Sequence, residues 1–436
     1  MQILLVVTWF LIFLINIILI KKIKYENMQF SDGILIGLLY YISIPMVFIS
    51  ISGEIDTIFL MDPYHPVDDL NVTLNLILGS FVVFLSWLCT NNRRKIKAFV
   101  YDKRQVLFQR KIYFIFYVLY FIFALVSFNL SGKSAGGHWA HTTHEALTES
   151  TLFVFFLNFT NVIRTAVFGV LIYMVFNLNL RKNVAVLLGL MVVIFDLFTS
   201  FNRITGIYFI IMTIILYRDK KILVNSVLIL LFPLIFLISS FWPAFRGMAL
   251  SEGYNIESFQ NAITLAYDNV TQNFQNSLND YLFPIFESAN IVAFKYVVNN
   301  AGSPSFEFLL GETYIVRSLF FFLPTTIWPD KPLVFANILG NHMQGGGVAI
   351  NSTFFGEMYA NFYLVWFLVL FLTIIILNYF FNYLKKYFAA AGFFGAFIGF
   401  ALWRFDATFM GISIFFIILF ILMKSLLLNL LGVVNK

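Results

Sequence analysis

The chain has 436 residues, of which 60% are hydrophobic, 19% aromatic and only 11% charged. Soluble chains average about 25% charged residues, so this balance excludes an ordinary soluble domain and points to an all-α polytopic membrane protein. The net charge of +6 is no nucleic-acid signal, because the basic residues fall in short clusters between apolar runs, and the single cysteine, Cys89, excludes a disulfide framework or a cysteine metal site.

Apolar runs of roughly membrane-spanning length predict about 11 transmembrane helices, within a range of 10–12. They lie at 2–20, 33–52, 71–90, 112–130, 155–178, 184–200, 204–217, 222–243, 360–383, 390–404 and 408–430. The first run lacks a basic start and a small-residue cleavage site, so it reads as a retained helix. The spans 204–217 and 390–404 are short and call for interfacial side chains or local thinning of the bilayer. The whole chain reads as one integral membrane domain. Its largest extramembrane segment, 245–355, is inserted late between spans. Within it, FPIFESANIVAFKYVVNN (283–300) has helical spacing and predicts an amphipathic helix on the membrane or over a cavity.

Nineteen of the 28 Lys and Arg residues fall in loops on one side, including KKIK at 21–24, the run at 91–111, RK at 181–182, RDKK at 218–221 and KK at 385–386. Seven fall on the other. The asymmetry assigns the first side to the cytoplasm, with the N-terminus outside and the C-terminus inside. No internal repeat is present, which weighs against an inverted-repeat transporter.

Charge at a membrane exit needs a reason. On the outer side Arg203 (SFNRITG), Arg246 (FWPAFRGM), Arg317 (GETYIVRSLFF) and Arg404 (LWRFDATF) each stand where a span leaves the bilayer, and Arg164 lies deeper, in NVIRTAV. A single interfacial arginine ordinarily snorkels or pairs with an acid. Four together on the face that is normally poor in arginine suit bidentate binding of phosphate oxygens, if they converge. Glu357 (STFFGEMYANF), Asp406, Glu287 and Asp196 are the matching acids, each a candidate general base or a simple ion-pair partner; Asp406, two residues from Arg404, is the most readily explained as its partner. His138, His141, His144 and Glu145 form a polar cluster that reads as an outer loop rather than a metal site. His342 sits in GNHMQGGGVAINS, whose glycines lack the lysine ending of a phosphate loop. Finally, FFFLPTTIWPDKP (320–332) starts like a span and breaks at three prolines, with Asp330 and Lys331 placed as a local ion pair; it reads as an apolar dip into the outer leaflet followed by a stiff turn.

Four features resemble the O-antigen polymerase (Wzy) family of oligosaccharide repeat unit polymerases. These are FNRITGIYFIIMTIILYRDKK, the late large outer loop, the WPDKP motif at 328–332, and the Gly-rich loop followed by STFFGEMYANF. They cover roughly 200–365. Tyr363 stands where the resembling pattern often has Gly. The resemblance implies a GT-C-like glycosyltransferase, independent of metal, nucleotide or other cofactor, at the periplasmic face of the bacterial inner membrane in lipopolysaccharide biosynthesis. Its substrates would be undecaprenyl-pyrophosphate-linked oligosaccharides, and a Wzz-type chain-length co-polymerase would be its partner. It implies that Arg203, Arg246 and Arg317 hold the donor pyrophosphate and that Glu357 activates or orients the acceptor hydroxyl. Arg404, Lys331 and His342 remain further candidates for contacts with pyrophosphate or glycan. The alternatives are an O-antigen ligase, for which an outer-loop histidine such as His342 would matter, a lipid-linked oligosaccharide flippase, and a structural subunit.

Overall fold

The computed structural model describes residues 1–55, 62–91, 103–130, 151–200, 204–220, 241, 244–245, 248, 256–273, 286–323, 327–345 and 349–430. Among these residues the chain is helical, and its only β pairings are two isolated bridges. Among the described residues six helices are long and apolar enough to cross a membrane. Helices occupy ten of the eleven expected spans; the eleventh, 222–243, lies almost wholly outside the described residues.

The elements run α1 (Gln2–Lys21), α2 (Phe30–Leu38), a π turn (Leu39–Ser43), α3 (Ile44–Ser52), α4 (Leu70–Thr90), α5 (Lys103–Leu130), α6 (Thr151–Leu178), α7 (Lys182–Ser200) and α8 (Ile204–Tyr217). The late segment adds α9 (Ile256–Asn273), α10 (Ala289–Asn300), a π turn (Glu312–Arg317) and α11 (Phe335–Gln344). The chain closes with α12 (Phe354–Phe362), α13 (Trp366–Leu384), α14 (Ala391–Ala401) and α15 (Ala407–Leu430).

Helix α14 is the hub. All 11 of its residues, AGFFGAFIGFA, are buried, and it packs between α2 and α6. Small residues make this possible, since a helix enclosed on every side must bring its backbone close to its neighbours. A Cβ at Gly33 of α2 would collide with the carbonyl of Ala396, and one at Gly399 would meet the carbonyl of Phe30. At 1.5 Å per residue α14 rises only about 16 Å, half of a bilayer core. It therefore ends, at Trp403 and Arg404, inside the bundle rather than at its rim.

The two ends of the bundle sort as the basic pattern predicts. Arg218 reaches Glu26 (3.9 Å), Lys182 reaches Asp219 (3.7 Å), Lys385 donates to Asn27 (2.8 Å) and Arg110 to the Leu178 carbonyl (2.6 Å), gathering the basic loops at one end. At the other end Gln2 donates to the Ser50 carbonyl (3.4 Å), and Lys295 of α10 pairs with Asp69 (2.9 Å). The chain's start, the end of α3, the start of α4 and helix α10 thus share one end. There α10 is no surface helix: Ile291, Val292, Phe294, Val297 and Val298 are buried, and the helix packs against α4 and α12. Helix α9, which no single motif announces, buries among its described side chains a narrow seam of Ser258, Ala262 and Ala266.

One expected span is not a single helix. In a continuous helix Phe355 and Trp366 would lie about 16 Å apart; their rings are 5.4 Å apart, and Tyr359 also reaches Trp366. The chain reverses at Tyr363, with φ 44° and ψ −124°, so α12 folds back beside the top of α13 and places Glu357 inside the bundle rather than at a span's outer mouth. A bulky residue at positive φ is a true outlier. It also explains why glycine suits this position in the pattern that the sequence resembles.

Candidate functional site

Three chain segments meet above the end of α14. The first is the turn from α14 into α15, carrying Arg404 and Asp406. Phe420 packs on Phe388 near the basic end (5.2 Å), and 13 helical residues separate Phe420 from Ala407, so this turn stands about 20 Å above that end. The second is α12, whose Glu357 is 3% exposed. The third is the π turn at 312–317, ending in Arg317, held by α15 so closely that a Cβ at Gly411 would strike the Ser318 carbonyl. π turns displace one side chain from the helical register and recur at functional sites.

Glu357 Oε2 accepts from the backbone N–H of Ala407 at 2.7 Å. The Thr313 hydroxyl also faces this carboxyl, and it accepts in turn from Asn361 Nδ2 at 2.8 Å. Asp406 lies close enough for the two carboxyls to interact electrostatically. The backbone N–H groups of Thr408 and Phe409, at the start of α15, and of Ala336, in the first turn of α11, face the Asp406 carboxyl. In this connecting turn, burial pushes the Asp406 carboxyl above the usual range, while Arg317 and the three N–H groups pull it down. Burial lowers the Arg317 guanidinium somewhat, and Asp406 opposes that; it stays charged. Among the described residues no ion pair within 4 Å engages Arg317, and its Nε has no hydrogen-bond partner. A small cleft, with room for little more than a water molecule, opens beside the two carboxyls, its walls including Ala336, Ser352, Thr353, Phe354, Glu357 and Asp406.

Other expected assignments are corrected. Arg404 does not pair with Asp406. It is held by Glu287 at 2.8 Å, both side chains being 12% exposed, so it is not a free cation for substrate. Lys331 forms no pair with Asp330. Its ammonium donates to the carbonyls of Phe321 and Leu323, both at 2.6 Å. That bonding explains the broken motif. Phe321 and Phe322 pack on Phe415 of α15 (5.6 and 6.3 Å), which brings non-helical backbone alongside an apolar helix, where bare carbonyls are costly. Lys331 satisfies two of them, and burial, then Arg317, lowers its pKa to about 8. Asp196 is no free base: Arg164 Nε and Nη2 reach its Oδ1 at 2.9 and 2.7 Å, and Tyr120 and Thr205 donate to it. His342 is exposed and stacks on Phe306 (4.7 Å) toward the far end of α11, away from the cleft. Arg203, Arg246, Pro324 and the cluster His138, His141, His144 and Glu145 lie outside the described residues.

The structure thus brings together Glu357, Arg317 and Asp406. The last of these is easily discounted in sequence because Arg404 stands two residues away, although an aspartate just ahead of an apolar helix is itself a capping signal. No protein-family model, curated protein or solved structure matches the chain.

Proposed function

We propose that the chain is a GT-C-like glycosyltransferase. In this reading it polymerises oligosaccharide repeat units carried on undecaprenyl pyrophosphate, at the periplasmic face of a bacterial inner membrane. One observation carries the reading: an unpaired arginine, Arg317, stands beside two interacting carboxyls at the bundle end opposite the basic loops. Arginine fits a diphosphate leaving group through its planar fork. The neighbouring carboxyls fit an acceptor hydroxyl that must lose its proton. Soon after Arg317 in sequence, Leu319, Phe320, Phe322 and Ile327 expose apolar side chains, which suit the isoprenoid tail of a lipid-linked donor.

Deleting the gene and resolving surface polysaccharide on a gel tests this. A polymerase predicts loss of the ladder with single repeat units still attached to lipid A–core. Bare core with lipid-linked chains accumulating would indicate a ligase. Repeat units trapped at the cytoplasmic face would indicate a flippase. Either of the last two results overturns the reading.

A further inference from the structure

We propose that Tyr379, Tyr383, Tyr387 and Lys386 hold the headgroup of one anionic phospholipid, on the outside of the bundle at its basic end. This site lies at the opposite end from Arg317 and stands apart from the glycosyl-transfer reading.

Helix α13 presents one exposed stripe. Leu368, Leu372, Ile376, Tyr379 and Tyr383 recur at intervals of three and four residues, the spacing of a single helix face, and Tyr387 extends it in the turn beyond Leu384. The stripe changes character along its length. It is aliphatic as far as Ile376 and then carries three tyrosines, each 51–64% exposed. The rise from Leu372 to Tyr383 is about 16 Å, close to half of a bilayer core of about 30 Å. An acyl chain that starts at Tyr383 therefore runs past Ile376 and ends near Leu372, the depth of one leaflet. The tyrosines then fall at headgroup level, where a ring with one polar edge is most at ease.

Charge completes the pattern. The lysine pair at 385–386 splits its roles. Lys385 is buried and donates to Asn27 at 2.8 Å, whereas Lys386 is exposed and places its Nζ 4.9 Å over the Tyr383 ring. Arg218, at the same end, also lies over a tyrosine ring, that of Tyr25 at 5.0 Å, but it reaches the acids Glu26 and Asp219 at 3.9 and 3.6 Å. Among the described residues no acid lies within 4 Å of the Lys386 ammonium. The aromatic ring fixes this cation without neutralising it. The Tyr383 and Tyr387 hydroxyls lie 3.3 Å apart beside it. A lipid phosphate supplies the missing negative charge and oxygens that accept from both ammonium and phenol. A zwitterionic headgroup brings its own ammonium toward Lys386 and fits less well.

The test uses the full chain, purified in mild detergent, and native mass spectrometry with phosphatidylglycerol as probe and phosphatidylcholine of the same acyl chains as the zwitterionic comparison. The wild type should take up its first phosphatidylglycerol more tightly than its first phosphatidylcholine. Lys386→Gln should weaken that first phosphatidylglycerol about fivefold, the worth of one lysine at an anionic surface, and leave phosphatidylcholine unchanged. Tyr383→Leu removes the ring beneath Lys386 together with a hydroxyl and should weaken phosphatidylglycerol at least as much. Both side chains are exposed, so thermal unfolding of each variant should match the wild type. Lys22→Gln, which changes another exposed lysine at the basic end, should leave the first phosphatidylglycerol at wild-type affinity. Equal wild-type affinity for the two lipids, or unchanged phosphatidylglycerol binding in Lys386→Gln, overturns the site. An equal loss in Lys22→Gln overturns it too, because the basic end then attracts anionic lipid only diffusely.

Discussion

The Arg164–Asp196 pair offers the sharpest test of the architecture. Their side chains are 2% and 0% exposed. Two guanidinium nitrogens reach the same carboxylate oxygen at 2.7 and 2.9 Å, Tyr120 donates to that oxygen at 2.9 Å, and Thr205 donates to the other. Arg164→Met removes the guanidinium that faces the buried Asp196 carboxylate and keeps the hydroxyl donors of Tyr120 and Thr205. Breaking a buried pair from one side costs about 3–5 kcal/mol, a shift in the unfolding equilibrium of roughly 10²- to 10⁴-fold. Asp196→Asn removes the charge that faces the guanidinium and falls in the same range. The double variant buries no net charge, and Asn still accepts from Tyr120 and Thr205, so it recovers most of the loss; a coupling energy near 3 kcal/mol is expected. Unfolding of the solubilised protein in graded denaturing detergent, for wild type, both single variants and the double, measures all four corners. Single variants costing under about 1 kcal/mol, the value of an exposed pair, or additive losses in the double, would refute the buried-pair argument.

Four further expectations follow from particular contacts. Arg317→Lys keeps the charge but loses the fork, and elongation of lipid-linked repeat units in vesicles should fall about 10²-fold. Lys331 has a folded pKa near 8 against an ordinary 10.5. The unfolded chain therefore binds more protons between those values, and stability should rise with pH across that window; thermal unfolding of Lys331→Gln should lack that increment. At Tyr363 the usual order of alanine and glycine should reverse, with Tyr363→Gly more stable than Tyr363→Ala by about 1 kcal/mol in the same unfolding assay, because only glycine tolerates the positive φ without strain. Gly33→Val should destabilise by about 1–3 kcal/mol or more, since its side chain meets the Ala396 carbonyl, which a rotamer change cannot move aside.

How much was readable in the chain itself differs by feature. The membrane class, the helix positions and the separation of basic from acidic ends follow from hydropathy and charge, because a bilayer imposes them one segment at a time. Glu357 and Arg317 were recognisable as rare charges beside apolar runs. Their neighbour Asp406 was masked by Arg404, since proximity in sequence suggested a partner that the fold supplies instead from Glu287, 117 positions earlier.

Local chemistry decided what each segment can be: which stretches are apolar enough to cross, where proline breaks a helix, and which end carries the positive charge. Only the tertiary structure decided which charges meet. The reversal at Tyr363 turns Glu357 inward, the short and enclosed α14 sets the Arg404–Asp406 turn at depth, and α11 turns the N–H of Ala336 toward Asp406. Each depends on packing between segments distant in sequence, which periodicity and composition do not encode. The FFFLPTTIWPDKP stretch shows both sides. Its prolines announced a break, but only the fold revealed that Lys331 covers the carbonyls of Phe321 and Leu323, so that non-helical backbone can lie along an apolar helix.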